Sequence, residues 1–258
     1  METVYAEPTG EVALQYDGSF EGFLTGVFLT FAQKLEVVAF QTDRAPQGGL
    51  FSQLYSIDAD PVKAERVWKG LSAFAKAQYH VYRSFLSEIK GNEIYLLRYI
   101  QYIFESGTAV DYGHEASLRA TQISKMVGRE KHRMEAFIRF ELTTDGIYYA
   151  MIEPDFNVLP LIAPHFKDRY ADQPWIIHDL KRGYALYYDE QTVSPVTLDP
   201  PETDGKEAFE EEETQYKALW HDYFRSTNIK ARVNKKLHIQ HVPRRYWKYL
   251  SEKDVKGF

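Results

Sequence analysis

The residues best suited to chemistry cluster near the C-terminus. Between Arg225 and Tyr249 eight residues are Lys or Arg and none is Asp or Glu, in a chain of 258 residues whose net charge is −6. Basic residues alternate there with His, Tyr and Trp, in the stretch RSTNIKARVNKKLHIQHVPRRYWKY. Such a stretch suits a polyanion, because Lys and Arg neutralise phosphates while flat rings and guanidinium groups stack on unpaired bases. Arg244, Arg245 and Lys248 are expected to hold phosphates, Tyr246 and Trp247 to stack on a base, and Lys230, Arg232, Lys235 and Lys236 to extend the track. Two structural explanations stand beside this one. Tyr246, Trp247 and Tyr249 could pack a final helix onto the body, or the tail could pair with Glu210, Glu211, Glu212 and Glu213. Exposed ion pairs contribute only ~0–1 kcal/mol each, so stability alone explains the charge segregation poorly.

A second constellation is Lys131-His132-Arg133, leading into Arg139 and Glu141. If residues 137–142 form a strand, Ile138, Phe140 and Leu142 share the buried face, with Arg139 and Glu141 opposite. Arg133 and Arg139 could then clamp a phosphate, Glu141 could act as a base, and His132 could exchange a proton near neutral pH. Equally, His132 and Arg133 could satisfy a helix C-terminus, and Arg139 and Glu141 could pair across strands. His165 and Arg169 are four apart and share a helical face, where with Tyr170 they could bind phosphate, or equally form a buried polar network or plain surface. Asp179 with Arg182 at a hairpin end reads as a site or as turn chemistry. Asp17 is a candidate carboxylate, but Asp17 and Ser19 at a strand-to-helix turn also read as a cap. Gly18, Gly22 and Gly26 are spaced for close helix packing; no P-loop, dinucleotide fingerprint or HExxH is present. His238 and His241 would need carboxylates from elsewhere to hold a metal, so no metal and no cofactor is expected.

The elements that must carry these residues can be read in outline. Residues 12–16 read as a strand ending in the Asp17-Gly18 turn, and Ser19 caps a helix with Phe20, Phe23, Leu24, Val27, Phe28 and Phe31 at helical spacing. Residues 40–52, with Pro46 and Gly48-Gly49, read as a loop. Asp60-Pro61 opens a helix expected to run to Phe85 and beyond, broken at Gly91-Asn92. Helices follow to about Phe104 and over about 114–127. Asp145-Gly146 between two alternating runs marks a hairpin. A helix is expected over 157–170, strands over 175–179 and 184–188, and an edge strand at 193–198, which tolerates Pro195. A last helix is expected over 209–224, ahead of the basic tail.

Bulk properties narrow the classes. The chain has 44% hydrophobic residues, enough for a real core, and 15% aromatic residues, an excess that suits cores and stacking surfaces alike. It has no cysteine, which excludes disulfides, thiolate zinc sites, iron–sulfur clusters and a Cys nucleophile in this chain. The start, METVYAEPTG, lacks a basic region followed by an apolar core, and no run approaches ~20 apolar residues. A cytoplasmic protein without a membrane span is expected. The fold expected is α+β: a helical half with an N-terminal strand over 1–128, a small antiparallel sheet with one helix over 129–200, and an acidic linker with a basic, helical or irregular segment over 201–258.

Three segments carry a resemblance: YDGSFEGFLTGVF from Tyr16, REKHRMEAFIRFE from Arg129 with the following His165-Phe166-Lys167-Asp168-Arg169-Tyr170, and NIKARVNKKLHIQHVPRRYWKYL. They resemble a bacterial family of DNA repair and DNA metabolism proteins, formally a domain of unknown function. The resemblance implies DNA as a partner, and a radical S-adenosylmethionine (radical SAM) DNA repair protein as another. In some proteins a similar region is joined to a uracil-DNA glycosylase. It carries over no catalytic residue. The expected role is an accessory that binds single-stranded or damaged DNA for such a partner enzyme. The alternatives are a metal-independent glycosylase, lyase or nuclease using His132, Glu141 or Asp17, and a pure protein-interaction module.

Overall fold

The computed structural model describes residues 10–42, 53–198 and 244–250. The chain divides into two compact units, Met1–Gly128 and Arg129–Phe258. The architecture is α+β, as the sequence pattern indicates, but the sheets differ from expectation in one respect each.

The first unit holds a three-stranded parallel sheet. Strand β1 (Glu11–Tyr16) lies between β2 (Glu36–Thr42) and β3 (Gln53–Ser56), and helix α1 (Phe20–Gln33) makes the crossover from β1 to β2. Val12, Ala13 and Leu14 are all buried, because a central parallel strand is covered on both faces. Ser19 caps α1, its hydroxyl oxygen accepting from the Gly22 amide at 2.8 Å. Gly26 is required for the helix to lie on the sheet: a Cβ there would sit 2.8 Å from Phe40 and 3.0 Å from Ile57. Strands β2 and β3 were not expected, since their partner β1 is remote in sequence and β3 is four residues long.

Helices α2 (Pro61–Ser72), α3 (Ala77–Phe85), α4 (Asn92–Ser106) and α5 (Glu115–Phe137) follow. Asp60 caps α2 by accepting from the Val62 and Lys63 amides. The single helix expected after Pro61 is two, separated where Lys76 adopts φ 68°. Helix α5 does not stop near Val127 but runs on to Phe137. Gly128 lies within it, and a Cβ there would meet the Arg83 guanidinium at 2.7 Å.

The second unit is built on a five-stranded sheet of order β4-β5-β6-β7-β8. The strands are β4 (Glu141–Leu142), β5 (Tyr148–Ile152), β6 (Trp175–Asp179), β7 (Tyr184–Tyr188) and β8 (Val193–Val196). Helix α6 (Leu159–Arg169) links β5 to β6, which therefore pair in parallel; the other neighbours are antiparallel, so the sheet is mixed. The Asp145-Gly146 hairpin and the edge position of Pro195 are as expected. A 3-10 helix, Arg244–Tyr249, follows. The expected helix over 209–224 lies outside the described residues. No helix among the described residues is long and apolar enough to cross a membrane.

Candidate functional site

Because α5 ends at Phe137 rather than giving way to a strand, residues 138–140 form a short link to β4. This corrects the expectation that Arg139 and Glu141 share one face of a strand. Arg139 instead turns back on the end of α5, its Nη1 donating to the Ala136 carbonyl at 2.9 Å and to the Ile138 carbonyl at 3.2 Å. A cation at a helix C-terminus is favoured by the partial negative charge there.

The link forms one wall of a cavity of about 280 Å³, lined by Ile138, Arg139, Phe140, Tyr148, Tyr170, Gln173 and Trp175. Tyr148 and Trp175 are parallel partners at the start of β5 and β6, and the Tyr148 amide donates to the Pro174 carbonyl at 3.0 Å. Tyr170 closes α6, its amide donating to the Phe166 carbonyl. Phe140 packs edge-on at 5.4 Å from Tyr170 and 5.7 Å from Phe166, and Trp175 leans on Tyr188 at 5.3 Å. The floor is thus a packed aromatic cluster and the rim is polar. Among the described residues, the side chains of Tyr148, Tyr170 and Gln173 make no hydrogen bond. The Trp175 indole N–H is buried without an acceptor among them.

The cations nominated from sequence are distributed unevenly around this site. Arg169 is exposed beside it, its guanidinium 5.8 Å from the Tyr170 ring centre. Arg133 is held 3.6 Å from the buried carboxylate of Glu130. His132 is exposed on α5, and Glu141 lies on the edge strand β4 opposite Tyr149. Asp17 belongs to the first unit and accepts from the Ser19 amide at 2.9 Å and its hydroxyl at 2.7 Å, so it braces the cap of α1. His165 Nδ1 is 4.0 Å from Glu135. Asp179 accepts from the Lys181 and Arg182 amides and from Arg182 Nη1 at 2.7 Å, the turn chemistry foreseen as one of its two readings.

In the C-terminal stretch, Lys230, Arg232, Lys235 and Lys236 lie outside the described residues, as do His238, His241 and the acidic run. Arg245 and Lys248 belong to the 3-10 helix, but their side chains are likewise outside the described set. Arg244 is exposed, 5.8 Å from the Trp247 ring, and Trp247 is half-buried. Tyr246 departs from expectation: it is 3% exposed, packs near Phe137, and donates its hydroxyl to Glu130. A ring so covered is an anchor and offers no face for a base.

Two features were missed in the sequence. Glu130, 1% exposed, gathers the Tyr246 hydroxyl, the Asp155 amide at 2.9 Å and Arg133. His178, 0% exposed on β6, has Nδ1 2.6 Å from the Tyr149 hydroxyl, while Nε2 has no partner among the described residues. Burial holds the His178 imidazole below its ordinary pKa, and burial pushes the neighbouring Asp179 carboxyl up against the opposing pull of Arg182. The alternation in WIIHD marks a strand but does not distinguish a buried imidazole from an exposed one. The first unit has its own cavity, of about 260 Å³, where His114 stacks on Tyr102 at 3.8 Å, but Glu105 and Glu115 line it beside Arg98. Among the described residues no group of three or more His, Asp or Glu is placed to hold a metal ion.

A family model described as a domain of unknown function, DUF4130, matches residues 90–252, which include the aromatic cavity and the Glu130–Tyr246 contact. No curated protein and no solved structure matches the chain. With well over half its length so matched, the chain belongs to the DUF4130 family.

Proposed function

We propose that this chain is a nucleic-acid-binding protein of DNA repair or DNA metabolism. In this reading it is an accessory that holds single-stranded or damaged DNA for a radical SAM or glycosylase partner. The observation that carries the reading is the cavity of the second unit: an aromatic floor with Arg139 on its wall and Arg169 beside it. Two of the cations nominated for phosphate contact, remote from each other in sequence, meet at one aromatic opening. Phosphates are held by such cations, and bases stack on such rings, without any need for a metal or a nucleophile. Arg244 is a further exposed cation of the same unit.

Fluorescence anisotropy with a labelled single-stranded oligonucleotide at two salt concentrations tests it. Affinity should fall steeply with salt, each phosphate contact on a single strand contributing about 0.7 to the log–log slope. Arg169→Ala with Arg244→Ala removes two exposed cations that make no ion pair among the described residues, and should flatten the slope by roughly 1.4. Absent or salt-independent binding by the unaltered protein refutes the proposal.

A further inference from the structure

Resting on the nucleic-acid reading, we infer that the cavity beside α6 receives one unpaired nucleobase, extruded from its strand, with the phosphates on either side left at the Arg139 and Arg169 rim. The size of the cavity selects this ligand. At about 280 Å³ it lies just below the usual range of small-molecule pockets, roughly 300–1,000 Å³, and suits a single planar group better than a whole nucleotide or two stacked bases.

The lining gives the same answer by its chemistry. Phe140, Tyr148, Tyr170 and Trp175 contribute the rings. Phe140 is fixed edge-on against Tyr170, and Tyr170 stacks on Phe166 with an interplanar angle of 9°, so these surfaces are pre-organised and lose little freedom when a flat ligand arrives. A purely apolar ligand would leave the Gln173 amide and two phenolic hydroxyls, which make no hydrogen bond among the described residues, to be desolvated without compensation. A nucleobase supplies what they lack. Its edge sets a donor beside an acceptor, the pattern an amide side chain matches with its own carbonyl and NH₂. The Trp175 indole N–H is buried with no acceptor among the described residues.

The fixed cation explains why the base should arrive on a strand. Arg139 is tied to the carbonyls of Ala136 and Ile138, so its charge stays at the wall instead of following a mobile ligand. Arg169 projects from the last turn of α6, beside Tyr170. Charges placed beside an aromatic slot suit a backbone that passes over it, and a base reaches such a slot only by leaving its stack.

The test compares three duplexes of one sequence by anisotropy: one with a single bulged base, one abasic at the bulge, and one fully paired. The bulged base should bind tighter than the abasic duplex by roughly five- to 140-fold, the range that base–aromatic stacking gives. Gln173→Ala and Tyr148→Phe alter groups that make no hydrogen bond among the described residues and should spare the fold, as thermal melting checks. Together with Tyr170→Ala, they should shrink the bulged-to-abasic ratio towards one while leaving the salt slope unchanged. Equal affinity for bulged and abasic duplexes, at an undiminished salt slope, overturns the base pocket and leaves the nucleic-acid reading standing. A ratio that survives all three substitutions also overturns it, since the base is then read elsewhere. Competition by a free nucleoside monophosphate as effective as by the bulged duplex reassigns the cavity to a free ligand. Binding to none of the three duplexes nor to single strands removes both proposals at once.

Discussion

Replacing Tyr246 by Phe should destabilise the second unit measurably, although it removes a single oxygen atom. Tyr246 donates its hydroxyl to a carboxylate that is 1% exposed, and Glu130 keeps the Asp155 amide at 2.9 Å and Arg133 at 3.6 Å as further partners. The Phe ring would retain the contact with Phe137, so the change isolates the hydrogen bond. Hydrogen bonds to charged groups contribute about 1.5–3 kcal/mol net, and here the accepting carboxylate is 1% exposed. At roughly 4 °C per kcal/mol, where the ranges for smaller and larger domains meet, the Tm of the unit should drop by about 6–12 °C. Urea unfolding followed by Trp fluorescence gives the free energy directly. A double-mutant cycle with Glu130→Gln should return a coupling of about 1 kcal/mol or more. Were Tyr246→Phe to unfold within ~0.5 kcal/mol of the unaltered protein, the role assigned to Tyr246 as the anchor of the 3-10 helix would be refuted, and the aromatic residues there would again be open to a direct part in binding.

Two further outcomes follow from the packing and the buried histidines. Gly26→Ala would thrust a Cβ to within 2.8 Å of Phe40 and 3.0 Å of Ile57, and should cost about 1–3 kcal/mol by overpacking, read as a lowered Tm in thermal melts; an unchanged Tm would mean α1 is free to lift from its sheet. His178 and His80 are both held below their ordinary pKa of 6.5, chiefly by burial, so the unfolded chain takes up their protons first as the pH falls. Their contribution is complete above pH 6.5 and is lost as pH falls through the depressed native values, so urea midpoints should decline on acidification from pH 7.5, less so in His178→Gln; a midpoint flat to pH 5 would contradict it.

Local signals were legible in the sequence, and long-range ones were not. Ser19, Asp60 with Pro61, and Asp145-Gly146 each act on their own immediate backbone, and each sits where the residue types place it. Strand β2 owes its existence to β1 across a whole crossover helix, and its residues carry too little alternation to announce it. Residues 137–142 alternate cleanly, yet the Ile138 amide still donates to the Met134 carbonyl, so the helix overrides the pattern for its last turn. The same nonlocality hid the cavity. Arg139 and Arg169 drew attention as cations, but Tyr148, Gln173 and Trp175 complete the site only because β5 and β6 pair in parallel and bring their starting residues together.

That geometry also separates two kinds of charge that composition treats alike. The stretch REKHRMEAF is part of one of the three segments that carry the family resemblance, and most of its charges answer one another. Lys131 pairs with Glu135, Arg133 with Glu130, and His165 approaches Glu135 from α6. Glu130 in turn holds the 3-10 helix through Tyr246 and the approach to α6 through Asp155. A carboxylate so fully engaged is poorly placed to abstract a proton, since its lone pairs are already committed. The motif therefore builds the scaffold, and the proposed binding surface lies one turn further on, where α5 ends and Arg139 folds back beside Tyr148, Tyr170 and Gln173, whose side chains make no hydrogen bond among the described residues. Charge reversal separates the two roles: Arg133→Glu should chiefly lower stability, by setting a second carboxylate against Glu130, whereas Arg169→Glu should spare the melt and weaken the proposed nucleic-acid binding.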